Sequence, residues 1–137
     1  MTVKESLTAG VTATQKITID RDRTIGFMGD EGRVYSTPSM VRDIEYTCHE
    51  LLNEHLDDDE NSVGTHVSVD HIGATVEGDE VEVSVTVTAV EGRAISFEAT
   101  VKDSLEEVGR GAHNRFVVDV QKTYERLTEK RKKVMGS

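Results

Sequence analysis

Apolar and polar positions alternate along most of this chain, and the period of the alternation changes along its length. Across residues 11–20, Val11, Ala13, Ile17 and Ile19 partly alternate with polar neighbours, which predicts a first strand. Residues 21–33 keep no period and hold Gly26, Gly29 and Gly32, so they read as a loop or lid. The spacing then becomes three and four. Met40, Val41, Ile44, Cys48, Leu51, Leu52 and Leu56 form one stripe, which predicts a helix running to about Leu56. Thr37-Pro38 marks its start, with threonine as the N-cap and proline as the first helical residue, where its missing N–H costs nothing. Asp57-Asp58-Asp59-Glu60 ends it; acids at a helix C-terminus oppose the macrodipole, so this run is expected as a solvated loop.

Beyond Val63 the period is two. Val67, Val69, His71 and Gly73 share one face of a strand, Val81, Val83, Val85, Val87 and Ala89 one face of the next, and Ile95, Phe97, Ala99 and Val101 one face of a third. A fourth strand covers residues 108–120. Glu77-Gly78-Asp79 and Glu91-Gly92-Arg93 read as short turns joining antiparallel hairpins. The first ten residues are expected to fray, and residues 122–134 to form a short polar helix or tail. The predicted order is a strand, one long helix, then a four-stranded meander. An apolar sheet face must be covered, and this helix is the only cover available. The fold class is therefore α+β of the hot-dog type, an antiparallel sheet of about five strands curled round one long central helix. One helix leaves part of the sheet bare, so a homodimer joined along sheet edges is expected, with further pairing into a tetramer left open.

Composition narrows the possibilities. With 137 residues, a single proline and no low-complexity tract, residues 1–137 read as one domain without a linker. Sixteen Lys+Arg against 26 Asp+Glu give a net charge of −10, which repels phosphate backbones and anionic lipid, so neither nucleic acid nor membrane is an expected partner. No apolar stretch approaches the roughly 20 residues that span a bilayer, and residues 1–15 lack a secretory layout, so the expected location is cytoplasmic. Cys48 is the sole cysteine, which excludes an internal disulfide and a cysteine-based zinc cluster. No histidine–carboxylate set has convincing metal-ligand spacing, so no metal is expected. Gly109-x-Gly111 lacks the third glycine and the following helix of a dinucleotide fingerprint.

Four residues stand out from the core pattern. Glu45 lies four residues after Val41 and three before Cys48, on the buried side of the helix, where a carboxylate needs a partner; it is either an edge residue reaching solvent or an arginine, or a site acid. His71 falls on the apolar face of its strand, either as a satisfied structural ring or as a functional one. Thr37 is explained by capping alone, yet a helix N-terminus also suits a thioester oxygen or an oxyanion. Thr37 and Glu45 are eight residues apart, roughly 12 Å of helical rise, and so are placed at opposite ends of one crevice. Gly64 precedes the part of the strand carrying His71, where an absent Cβ admits a ligand close to the backbone.

These residues carry a resemblance. Ser36-Thr37-Pro38-Ser39-Met40-Val41 leading to Glu45, Val63-Gly64-Thr65, Val69-Asp70-His71, Val90-Glu91-Gly92-Arg93 and Gly109-Arg110-Gly111-Ala112-His113-Asn114-Arg115 occur in order across residues 35–120. In that order and spacing the chain resembles the fluoroacetyl-CoA thioesterase-like branch of the hot-dog acyl-CoA thioesterases. The resemblance implies a catalytic group of Thr37, Glu45 and His71, with Gly64 at the acyl end of the pocket and Arg115 gating or contacting substrate. Where that family has an aromatic lid before the threonine, this chain offers Phe27 and Tyr35 as substrate-binding residues. The resemblance therefore implies hydrolysis of a small or medium acyl-CoA without implying a fluorinated acyl group. Coenzyme A would enter as part of the substrate, in a tunnel between subunits, and no separate cofactor is implied. Arg115, with Arg93 or Arg110, would meet its anionic parts. The expected chemistry has Glu45 as general base or nucleophile, Thr37 positioning Glu45 or water, and His71 moving protons. The alternatives are an enoyl-CoA hydratase-like enzyme, for which Asp43 and His49 are poorly placed, and a non-catalytic acyl-CoA or small-ligand binding module.

Overall fold

The computed structural model describes residues 4–136. Its first strand, β1, covers Thr12–Thr18. A short ribbon follows, made of β2 at Thr24–Ile25 and β3 at Val34–Tyr35. Helix α1 runs Thr37–Asn53, then come β4 at Glu60–His71, β5 at Glu80–Glu91, β6 at Ala94–Lys102 and β7 at Glu107–Asp119, and α2 closes the chain at Val120–Met135. The main sheet has five antiparallel strands in the order β1-β5-β6-β7-β4. This is the α+β arrangement of a sheet about one long central helix that the hydrophobic pattern predicts.

The core is the meeting of the two periodicities. Val81, Val83, Val85 and Val87 of β5 and Ile95, Phe97, Ala99 and Val101 of β6 are buried against Met40, Ile44, Cys48, Leu51 and Leu52 of α1. Each large apolar side chain removed from water there contributes about 1.5–3 kcal/mol. The two-residue turn at Gly92-Arg93 joins β5 to β6, with only Gly92 at positive φ (61°), as a hairpin turn with glycine first requires.

Several expectations are corrected. The strands after α1 are not one meander: β4 pairs with β7, so it forms the sheet edge opposite β1. Glu77-Gly78-Asp79 is therefore no hairpin between neighbouring strands; Gly78 N–H donates to the Ile19 carbonyl, and Ile19 N–H to Asp79, tying this turn to the end of β1. Residues 21–33 are more organised than a loop. Two 3-10 turns and β2 lie there, β2 pairs with β3 just beyond, and Ser36 N–H to Arg23 O and Tyr35 N–H to Thr75 O anchor the ribbon. Of the stretch expected to fray, residues 1–3 lie outside the described residues. From Lys4 the chain is tied down, because Leu7 is only 3% exposed and Gly10 N–H bonds Val87 O. The C-terminal helix has 16 residues, longer than expected, with no buried side chain. Glu60 is buried rather than solvated, and its Oε1 accepts the Asp57 N–H.

Strand β4 positions the site. Its outer edge has no strand partner, and the register slips at Thr65, between Gly64 opposite Arg115 and His66 opposite Asn114. Among the described residues no helix is long and apolar enough to cross a membrane. The β4–β7 pairing leaves no room at Gly111, where an added Cβ would run into the Ser68 carbonyl. Gly111→Ala should thus cost about 2 kcal/mol or more in urea denaturation, and an unchanged midpoint would contradict this register.

Candidate active site

The start of α1 is built differently from the sequence expectation. Ser36, not Thr37, is the N-cap; its Oγ accepts the Ser39 N–H at 3.2 Å, while its carbonyl accepts the Met40 N–H. Thr37 is the first helical residue, and its hydroxyl is released from capping. That hydroxyl bonds His71 Nδ1 at 2.7 Å, joining the helix start to the last residue of β4. Pro38 has no N–H and the Ser39 N–H is taken, so among the first amides Thr37 N–H alone lacks a partner among the described residues. A cleft of ≈ 340 Å³ opens here, lined by Val34, Tyr35, Thr37, His71 and Gly73 among others.

His71 is half-buried on the helix-facing side of β4. Burial pushes its imidazole below the ordinary 6.5, while a backbone interaction with Gly73 acts weakly the other way. At neutral pH the ring is therefore uncharged and able to accept the Thr37 hydroxyl proton.

Tyr35 supports this ring. Its phenol ring lies edge-on to His71, with centroids 6.2 Å apart. Its hydroxyl donates to Asp43 Oδ2 at 2.6 Å, and Arg23 grips the same carboxylate through Nε at 3.0 Å and Nη2 at 3.3 Å. Asp43 is 2% exposed. Burial, and then the bond to Asp43, push the Tyr35 hydroxyl far above its usual range, so it stays a donor. The sequence reading missed Asp43 in this role because its partners come from outside the helix; the signal was a polar residue beside Ile44 on the buried stripe. Tyr35 is accordingly a buried support that shows the cleft its ring and not its hydroxyl.

Glu45 lies elsewhere. It is half-buried, two helical turns from Thr37, and has no hydrogen-bond or ion-pair partner among the described residues. Its charge acts on Cys48, His113 and Arg115, whereas the His71 shift owes nothing to it. Gly64 belongs to the same group, since a Cβ there would sit 3.2 Å from His113 Cε1 and 3.5 Å from Arg115 Nη1. Arg115 is 7% exposed, with Nε donating to Ser62 Oγ at 2.8 Å and Nη2 to the Ser62 carbonyl at 2.9 Å. Desolvation lowers its pKa. Desolvation also pushes the Cys48 thiol up to about 12, so this cysteine is an inert core residue.

Within one chain, then, the structure joins Thr37 to His71 and gathers Glu45, Gly64 and Arg115 into a separate cluster. Glu45 is not among the residues that line the Thr37–His71 cleft of a single chain. Arg115 is too buried to serve as a surface arm for phosphates, and Arg110 is paired to Glu107 at 2.7 Å. Phe27 is 90% exposed at the ribbon tip and does not line the cleft. Asp43 and His49 share no partner, since His49 Nε2 bonds Asn61 at 2.8 Å. Among the described residues the carboxylates near enough to share a cation are Asp57, Asp59 and Glu60, beyond the C-terminal end of α1 and away from Thr37.

The chain is similar to known proteins over most of its length. Residues 19–121 match the family described as fluoroacetyl-CoA-specific thioesterase. A fluoroacetyl-CoA thioesterase from Streptantibioticus cattleyicolor is 27% identical over 135 residues, 93% of this chain and 97% of its own length. A solved structure of a fluoroacetyl-CoA thioesterase superposes with a TM-score of 0.82 at 27% identity, covering 90% of this chain and 97% of the other. A hot-dog-like protein from Thermanaerovibrio acidaminovorans superposes with a TM-score of 0.82 at 24% identity, over 89% and 91% of the two chains, which establishes the hot-dog fold.

The His71 environment gives a direct expectation. Followed by NMR, its imidazole should titrate below 6.5. Because the unfolded chain takes that proton at a higher pH than the folded one, the stability this neutral ring contributes is full above 6.5 and declines as pH falls through the folded midpoint. A titration at or above 6.5 would contradict the buried, uncharged ring.

Proposed function

The chain belongs to the fluoroacetyl-CoA-specific thioesterase family, and from that premise we propose how its own residues hydrolyse an acyl-CoA thioester. The overall reaction adds water across the thioester and yields a carboxylic acid and the free thiol of coenzyme A. The observation that carries the residue assignment is the 2.7 Å bond between the Thr37 hydroxyl and the uncharged His71 ring, beside a cleft at the positive end of α1.

The thioester carbonyl occupies that cleft, with its oxygen toward the unpaired Thr37 N–H. Negative charge develops on this oxygen as the carbonyl carbon is attacked, and an amide at a helix N-terminus stabilises it without reorganisation. Thr37 and His71 act as a pair, the hydroxyl orienting the imidazole and the imidazole relaying the proton released by water to the sulfur as the C–S bond breaks. Glu45 supplies the attack, either by taking a proton from water, whose oxygen bonds the carbonyl carbon, or directly through its carboxylate. In the direct case, the anhydride formed as the C–S bond breaks is then hydrolysed by water to the acid and free Glu45. A carboxylate two turns along the same helix, roughly 12 Å of rise away, does not meet a carbonyl held at residue 37.

We therefore assign the active protein as a homodimer in which the Glu45 cluster of one copy completes the Thr37–His71 cleft of the other. The unpaired edge of β4, a strand of 12 residues with Val63 exposed, supports this assembly, because such an edge is a template for a second strand. The acyl group is small or medium. Coenzyme A arrives with the substrate and the scheme uses no cofactor.

A panel of acyl-CoA thioesters with a thiol reagent tests the reading. The wild-type protein should release thiol from short and medium chains. Glu45→Ala and His71→Ala should each lower kcat/KM by at least about a hundredfold. Unchanged turnover in both variants would overturn the residue assignment, and coenzyme A binding without hydrolysis would make the protein a binding module.

A further inference from the structure

Arg115 presents an unusual arrangement: a guanidinium 7% exposed, with no carboxylate in ion-pair distance among the described residues. A charge buried without a counter-ion is costly unless its hydrogen bonds are well made and an anion is near. Two of its nitrogens bond Ser62. The third, Nη1, lies 3.1 Å from His113 Nε2. Guanidinium has no acceptor, so Nη1 donates and the imidazole Nε2 must hold a lone pair. On the other side of the ring, Nδ1 lies 2.8 Å from the His66 carbonyl, an acceptor only, so Nδ1 carries the proton. Both partners dictate the same uncharged tautomer. Phe97 stacks on the ring, with centroids 6.4 Å apart, and His113 is 1% exposed.

We propose that His113 is a positioning residue, which ties the Arg115 guanidinium to the β4 bulge at Gly64–His66 and so holds Nη1 beside Gly64, at the acyl end of the site. Its place in catalysis rests on the thioesterase reading above; the tautomer and its link to Arg115 do not. The groups that face this ring are Arg115 on its own strand, His66 on β4, and Glu45 on α1, with Cys48 of α1 acting on Arg115 and the uncharged Phe97 on β6. Desolvation and then the Arg115 charge push the His113 imidazole down, outweighing the raising effects of the His66 carbonyl and Glu45. The ring is thus neutral at pH 7, and protonation in acid would set a second N–H against the guanidinium and break the contact.

The test has two independent arms. In the wild-type protein, imidazole ¹⁵N NMR at pH 7 should show His113 protonated at Nδ1 and bare at Nε2. The opposite tautomer or a charged ring would overturn the proposal whether or not the protein hydrolyses thioesters. In the kinetic arm, His113→Leu should lower kcat/KM about tenfold, while His113→Gln, which keeps an acceptor for Nη1, should recover to within about threefold of wild type. In an Arg115→Met background His113→Leu should cause no further loss, because it acts through the residue already removed. The acid limb of log kcat/KM should also lose one proton of slope in His113→Gln. Losses that multiply in the double variant, or an acid limb unchanged in His113→Gln, would make His113 merely structural. A wild-type protein inactive on every thioester would instead overturn the function and leave the NMR result standing.

Discussion

The bond from Ser39 N–H to Ser36 Oγ decides what the rest of the site is able to do. Two consecutive residues at the start of α1, Ser36 and Thr37, are candidates for the cap, and a helix needs only one. Because Ser36 takes that duty, Thr37 enters the helix with a spare hydroxyl, and Pro38 removes the next amide from competition. The freed hydroxyl then reaches the ring at the far end of β4. Had Thr37 capped the helix, its oxygen would have been spent on a backbone amide and the imidazole would have had no such partner. A local choice of cap thus becomes a contact between the central helix and an edge strand.

The supporting groups around that contact are polar and buried, and each is satisfied by a residue from another part of the chain. Asp43 on the helix is met by Tyr35 from the ribbon and by Arg23 before it, which fixes the ribbon against α1 and holds the Tyr35 ring edge-on to His71. Two helical turns along, Arg115 is cradled by Ser62 and His113 at the strand bulge, with the Glu45 carboxylate nearby. The helix therefore presents two chemically different stations on one side, an amide–hydroxyl–imidazole set at its start and a carboxylate–guanidinium set further on. Their separation is set by helical rise, which no side-chain rotamer closes. The geometry that would unite them is a second copy brought in along β4.

Much of this was legible from the residues, and the failures have identifiable causes. The switch from a three-four spacing to strict alternation located α1, β5 and β6, since both patterns are imposed by burial on one face. Alternation also put His71 on the helix side. Pairing was not legible: Glu77-Gly78-Asp79 is a good turn signal, but it closes onto Ile19 rather than joining β4 to β5, and a turn motif does not say which strands become neighbours. The cap was misassigned because adjacent Ser and Thr are chemically equivalent candidates, and only backbone geometry separates them. Asp43 and His113 went unrecognised because their partners, Tyr35 and Arg23 in one case and the His66 carbonyl in the other, come from other elements whose approach the pattern does not encode.

The claim that the two stations act on one substrate is tested most directly by mixing chains. Thr37→Ala and Glu45→Ala proteins, each inactive alone, should be unfolded and refolded together. If a site draws Thr37 from one copy and Glu45 from the other, half of randomly paired dimers carry one intact site. Activity should then return to about a quarter of the wild-type level. A mixture no more active than its separate components would contradict the account.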